Sequence, residues 1–318
     1  GGGPNLELSR LNELRVKMEC LPPTQCIYSK QGNIPTEPLG GGLSKSLNRF
    51  GEGLSSMDDY SDYRTLDIDA RDDGVVVVTL NRPDRLNAFD GVMRHEIRRM
   101  IDQIGKDDDA RAMVLTGAGR AFCSGADLAA EDKRTWPTAA NEPRFAWCLE
   151  LLEMPKPTIS AINGVAAGGG LGLALLCDIK MCSTKARLLP IWMKRAIHPD
   201  DMITWTLPKL VGYGRALKWL YLAEDIDLEE ARASGLIQDV VDPDKLMPKA
   251  LDLASRLAAG PTKHMALTKQ AVLKGLTRDA WDGVLLESWS QDQALATVDR
   301  EEGVRAFLEK RPPKFIGR

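Results

Sequence analysis

The hydrophobic and polar positions divide the chain into an irregular start, a middle where strand-like runs alternate with helical periods, and a helical end. "GVVVVTLNRP", Gly74 to Pro83, is a continuous β-branched run that stops at Asn-Arg-Pro, which predicts a buried strand. In "RLNAFDGVMRHEIRRMIDQIGKDDD" the apolar residues Val92, Ile97, Ile101 and Ile104 share one helical stripe. Asp90 is placed to cap that helix, and His95, inside "RHEIRR", reads as a solvated surface residue. "ARAMVLTGAG", "PTISAINGV" and "CDIKMCS" predict three further strands with helical stretches between them, the alternation of a parallel α/β architecture. After about Leu210 strand character nearly disappears. "GRALKWLYLAE", "LEEARASG", "PDKLMPKALDLASRLAAG", "PTKHMALTKQAVLKG", "RDAWDGVLLESWSQDQALA" and "REEGVRAFLEKRPPKF" predict successive helices punctuated by Gly or Pro.

Residues 1–56 follow neither period. Glycine-rich stretches such as "EPLGGGLSK" and "FGEGLSS" suggest a flexible extension or an added segment, with Met57 as a candidate native start. Glu7, Glu13, Glu19, Glu37 and Glu52 are too acidic a set for a transit peptide, and the segment lacks the apolar core of a signal peptide.

Composition narrows the function classes. With 42 basic and 45 acidic side chains interspersed, and a net charge of −3, the chain shows no electrostatic footprint for nucleic acid or anionic lipid. The six cysteines, Cys20, Cys26, Cys123, Cys148, Cys177 and Cys182, lack paired spacing, and the three histidines lie far apart, so no metal centre is expected. No apolar run is long enough to span a membrane. A reducing, cytoplasmic setting is the expectation.

Candidate chemistry centres on "NGVAAGGGLGLALLCDIKM", Asn163 to Met181. Here a strand enters the turn Gly168, Gly169 and Gly170 and a helix leaves it. Glycine costs about 0.5–1 kcal/mol relative to alanine inside an element, so three in a row imply a tight turn or a close approach to backbone. Unpaired N–H groups at a helix start, with no side chains in the way, suit an oxyanion. Tight packing against a neighbouring element is the simpler alternative. A second strand-exit turn, "GRAFCSGADL", weak by itself, repeats the arrangement, and two such turns can supply the two N–H donors that a thioester enolate or a tetrahedral oxyanion needs.

These segments together resemble the crotonase (enoyl-CoA hydratase/isomerase) superfamily over Asp67 to Arg318. "NRPDRLNAF", "LTGAGRAFCSGADL", "KPTISAINGVAAGGGLGLALLCDI", "LPKLVGYGRA", "ASGLIQDVV" and "EGVRAFLEKRPPKF" fall in that family's order and spacing. The resemblance implies a ββα spiral core over 57–255, a C-terminal helical trimerisation region over 256–318, and a homotrimer or hexamer. Its ligand would be an acyl-CoA, with coenzyme A as part of the substrate thioester and no separate cofactor. It places the oxyanion donors at the N–H groups of Ala126 and Gly169, flanked by Ser124, Gly125, Asp127 and Gly168. It also sets Arg85 and Ala88 along the CoA site, and Lys310 or Lys314 near the CoA phosphates.

The family's hydratases use two glutamates; the matching positions here are Gly172 and Ile191, so neither carboxylate is present. Asp200, eight residues before Pro208, instead matches the catalytic acid of members that shift double bonds and the nucleophile of an aryl-CoA dehalogenase. Trp192 matches an aromatic wall of that dehalogenase pocket. The dehalogenase histidine is replaced by Phe145, with His198 as the nearest substitute. Phe145, Trp147 and Trp192 are expected to bound a bulky or aromatic acyl cavity, and burial beside Trp192 and Trp205 is expected to raise the Asp200 pKa. The plainer role for Asp200 is to cap the helix of "MITWTL", which Asp201 can do instead. The favoured reaction is enoyl-CoA isomerisation with Asp200 as the one carboxylate. Hydration, aryl-CoA dehalogenation and silent acyl-CoA binding are the alternatives.

Overall fold

A computed structural model of the chain describes residues 60–130 and 143–318. The N-terminal segment, Met57, Cys20 and Cys26 lie outside the described residues. The strands are Leu66–Ala70 (β1), Val75–Leu80 (β2), Ala112–Gly117 (β3), Ala121–Cys123 (β4), Thr158–Ile162 (β5), Val165–Ala167 (β6), Ile179–Ser183 (β7), Arg187–Leu189 (β8) and Asp239–Val241 (β9). Interleaved helices are Gly91–Lys106 (α1), Ala146–Leu152 (α2), Gly169–Leu176 (α3), Ile203–Val211 (α4), Tyr213–Leu222 (α5) and Leu228–Ala233 (α6). Pro243–Ala258 (α7), Thr262–Gly275 (α8), Ala280–Leu295 (α9) and Val298–Glu309 (α10) complete the chain.

One sheet runs β1-β2-β3-β5-β7-β9, parallel except for the β1–β2 pair, and a second, parallel throughout, runs β4-β6-β8. Each circuit of the chain therefore adds one strand to the large sheet and, a few residues later, one to the small sheet. This is the expected ββα spiral. Parallel neighbours need a crossover, which the helices supply.

The unbroken apolar run of β2 follows from cover on both faces. Val76, Val78 and Leu80 face the cluster that contains Met93, Ile97 and Met100. Val75 and Val77 face Leu246, Ala250, Ala254 and Ala258 of α7. Asp90 caps α1 as expected, its carboxylate accepting from the Met93 N–H at 2.8 Å. The buried stripe of α1 differs from the sequence reading at one position: Met93 is buried and Val92 is 37% exposed. His95 is exposed, as read. The sequence reading also misses β9. This three-residue strand extends the sheet by pairing with β7, so tertiary context rather than local pattern creates it.

The turn between β2 and α1 is held by a single buried amide. Asn87 sits in the left-handed region at φ 55°, where asparagine is tolerated. Its Oδ1 accepts from the Arg82 N–H at 2.9 Å, and its Nδ2 donates to the carbonyls of Ala118 at 3.0 Å and Ala121 at 2.8 Å. Asn87→Ala strands these groups away from water. It is expected to cost at least about 1–3 kcal/mol, read as a lower urea midpoint at unchanged slope.

Candidate active site

Two loops meet above the small sheet. Phe89 and Ala126 form an isolated parallel bridge: Phe89 N–H donates to Gly125 O, and Asp127 N–H donates to Phe89 O, each at 2.8 Å. That pattern turns the Ala126 N–H to the other side, where it has no partner among the described residues. Gly169 opens α3, so its N–H has no carbonyl within the helix to accept it; the Leu171 and Gly172 amides take Gly168 O instead. The loops are closely set, since a Cβ on Gly125 would lie 3.2 Å from Gly169 N. Both amides line one cavity of about 80 Å³, shared with Ser124, Gly168, Trp192, Asp200 and Asp201.

Each glycine of the triplet has its own reason. Gly168 adopts φ 53° with ψ −127°, a conformation that side chains disfavour. A Cβ on Gly170 would collide with the Cys123 carbonyl, and one on Gly169 would collide with the Asp201 carboxylate. Close packing and an open backbone face therefore coexist in three consecutive residues.

Arg82 fixes the loop of the first amide. Its guanidinium bridges Asp90 at 3.1 Å and Asp127 at 3.2 Å. Burial alone would raise the Asp127 pKa, but the Ala129 amide and Arg82 hold this carboxyl below its ordinary value. Asp127 thus serves the loop and, with Arg85, lines an adjoining depression rather than this cavity. Ala88 is buried, and its carbonyl accepts from Arg82.

The acidic pair lies across the cavity. Asp200 Oδ1 accepts from Trp192 Nε1 at 2.8 Å, and Trp192 is buried. Neither aspartate caps α4: its N-cap is Met202, without a side-chain capping bond. The capping alternative, weighed for Asp200 and open to Asp201, therefore falls for both residues. The physical cause is the backbone, which takes two consecutive left-handed residues, Asp201 at φ 50° and Met202 at φ 58°, and so turns the Asp201 side chain inward. Asp201 is 4% exposed, lies next to Asp200, and among the described residues keeps Oδ1 buried without a hydrogen-bond partner.

Desolvation first, and then the charge of Asp200, push the Asp201 carboxyl up to about 8, although Arg94 opposes the shift. The buried carboxyl of the pair is Asp201, not the Asp200 of the sequence reading. Trp205 does not line this cavity; it lines a larger apolar one of about 550 Å³, where Asp178 and Lys269 pair at 3.0 Å. Sequence reasoning also missed Arg94, whose guanidinium lines the active cavity from α1 and whose pKa burial lowers.

A stability test follows from Asp201. Its folded pKa lies above the ordinary 3.8, so its neutral burial is fully favourable below about pH 4 and that benefit is lost as pH rises through about 8. Asp201→Asn stays neutral throughout. Thermal midpoints of parent and variant are expected to agree near pH 4 and to separate toward pH 8 and above, with the variant the more stable.

Several expected site residues lie elsewhere. Trp147 is in the main core, and Phe145 packs against that core; neither is among the described residues lining the cavity. Phe145 is the N-cap of α2 and Trp147 lies in its first turn, and the apolar face of that helix is committed to the core. His198 is exposed and outside the cavity lining. Lys310 is the exposed left-handed cap of α10, and Lys314 lines a separate surface depression with Glu302 and Arg311. Among the described residues no helix is long and apolar enough to cross a membrane.

Comparison with known proteins gives the family of the chain. The family profile described as "Enoyl-CoA hydratase/isomerase" matches residues 70–318. A 1,2-epoxyphenylacetyl-CoA isomerase of Escherichia coli is 39% identical over 254 residues, covering 77% of this chain and 96% of that protein. An (E)-benzylidenesuccinyl-CoA hydratase of Thauera aromatica is 36% identical over 245 residues, covering 76% of this chain and 96% of that protein. Among solved structures, a putative enoyl-CoA hydratase from Streptomyces coelicolor superposes with a TM-score of 0.76 at 31% identity. That superposition covers 86% of this chain and all of the other.

Proposed function

Because the chain belongs to the enoyl-CoA hydratase/isomerase family, we propose that it moves a carbon–carbon double bond in an acyl-CoA thioester by proton transfer. The thioester oxygen accepts from the N–H groups of Ala126 and Gly169. Those bonds strengthen as the carbonyl becomes an enolate, which makes the neighbouring C–H acidic. Asp200, held by Trp192, takes that proton, and a proton is returned at the other end of the delocalised system. The observation that carries the reading is that Asp200 lines one cavity with Ala126 and Gly169, whose amides have no partner among the described residues. Gly172 and Ile191, at the positions of the two hydratase glutamates, supply no acid.

An apolar acyl group suits the wall of Trp192, Ile191, Ile197 and Leu128, and a bulky or aromatic one requires this cavity of about 80 Å³ to widen on binding. The aryl-CoA names of the two relatives described above support the same choice. Hydration is the second reading, favoured by the presence of two carboxyls in the Asp200–Asp201 pair and by relatives named as hydratases.

Incubation with a 3-enoyl-CoA and, separately, with its conjugated 2-enoyl isomer in D₂O separates the readings. Isomerisation gives a conjugated product carrying deuterium without added water. Addition of D₂O to the double bond establishes hydration instead, and binding without exchange contradicts both.

We also infer a homotrimer or a hexamer built from trimers, in which partners cover the exposed Val272, Leu276, Trp281, Val284 and Leu285 of the C-terminal helices. Light scattering is expected to give three or six times the chain mass, and a monomer mass contradicts it.

A further inference from the structure

We propose that Asp201 is a second catalytic residue of this site, a carboxyl that fills the space above Gly172 and delivers a proton to one substrate carbon while Asp200 removes a proton from another. The inference rests on the isomerase reading and adds to it the source of the returned proton.

Geometry carries the assignment. A Cβ built on Gly172 would lie 2.9 Å from Asp201 Cβ and 3.0 Å from Asp201 O, so the Asp200–Met202 loop occupies the volume of a residue-172 side chain. The missing side chain is thus replaced by a carboxyl arriving from another loop. Asp201 Oδ2 is set against Gly169, so the carboxyl stands beside the residue whose N–H is assigned to the thioester oxygen. Its Oδ1 is buried in the protein without a hydrogen-bond partner. A buried carboxyl oxygen without a partner costs least when the carboxyl is protonated, which keeps a proton beside the cavity.

The groups around Asp201 favour keeping one proton on the pair. Asp200 faces it from the same loop and Arg94 from α1; Cys123 and Cys148, the other titratable groups that act on it, are thiols whose pKa values burial raises. Of the two arginines lining the cavity, Arg195 is exposed and Arg94 is the cation that acts on Asp201, so one proton stays on the two adjacent carboxyls at neutral pH.

The cycle balances. The Asp200 carboxylate accepts a proton from the first carbon, and the electron pair spreads over the dienolate held by the two amides. The Asp201 O–H then gives its proton to the second carbon, which relocates the double bond. Asp201 is left as a carboxylate and Asp200 as an acid; return of the proton from Asp200 to the neighbouring Asp201 restores the starting state. No water or redox partner is consumed.

Asp201→Asn and Asp201→Gly test the proposal, because both replacements accept a left-handed backbone. Each is assayed with trans-3-hexenoyl-CoA in D₂O for washout of the C2 hydrogen and, separately, for double-bond migration. Both variants are expected to keep C2 exchange within a few-fold of the parent and to lose ~10²-fold or more in migration, the usual scale of a proton-transfer group. Migration at the parental rate, or equal loss of exchange and migration, overturns the role of Asp201. Asp200→Asn is the companion control: it is expected to lose both rates, and its retention of both would refute the isomerase reading itself.

Discussion

Asp200→Asn is expected to lower double-bond migration by ~10²–10⁴ while leaving acyl-CoA affinity within a few-fold of the parent. The substitution keeps the shape of the side chain and an oxygen for Trp192 Nε1, which now donates to Asp200 Oδ1 at 2.8 Å. The Ile203 N–H bond to the Asp200 backbone carbonyl, 3.1 Å, is untouched. What disappears is the capacity to accept a proton from carbon. The loss should therefore fall on kcat, with little change in acyl-CoA binding measured by calorimetry. An unchanged kcat would remove Asp200 from the chemistry.

Gly172→Glu, which restores a hydratase-type carboxylate to its familiar position, is expected to damage the enzyme rather than convert it. Cβ atoms do not approach one another at 2.9 Å, and the opposing atom here is Asp201 Cβ, with the Asp201 carbonyl only 3.0 Å away. Because backbone blocks the way, the Asp200–Met202 loop must shift as a whole. Overpacking of this kind costs about 1–3 kcal/mol or more. The same displacement takes Asp200 and Asp201 from their places, so migration should fall and hydration of crotonyl-CoA should not appear. A variant that hydrates crotonyl-CoA at parental stability would mean that this loop yields readily and that the Gly172 space is not reserved for Asp201.

Much of the architecture was legible because it depends on nearest neighbours. The β-branched run of β2 and the Asp90 cap are local statements, and the fold agrees with both. The Val92 error is also local: Met93 and Val92 are adjacent on the helix, and only the position of the sheet decides which is buried. The short β9 has too few residues to show a pattern and exists because β7 offers it an edge.

At the site, the two N–H donors could be proposed from glycine-containing turns at strand exits. The fate of the Gly172 space could not. The sequence shows that a carboxylate is missing there, but not that a distant loop enters the vacancy. Nor do two adjacent aspartates reveal which one is buried. That depends on the left-handed pair Asp201–Met202, which reverses the simple expectation that Asp201 caps the helix while Asp200 turns inward. Arg94 was hidden for a similar reason. It belongs to a charged helix segment, and its place on the cavity is set by packing of α1 rather than by its neighbours in sequence.

The central claim is that the amides of Ala126 and Gly169 together hold the thioester oxygen. Isotope-edited infrared spectroscopy of a bound acyl-CoA, labelled with carbon-13 at the thioester carbonyl, reads this directly. Two amide donors polarise the carbonyl, so its stretching band should move to clearly lower frequency in the complex than in water. A bound thioester whose carbonyl band stays at its solution position would contradict the account.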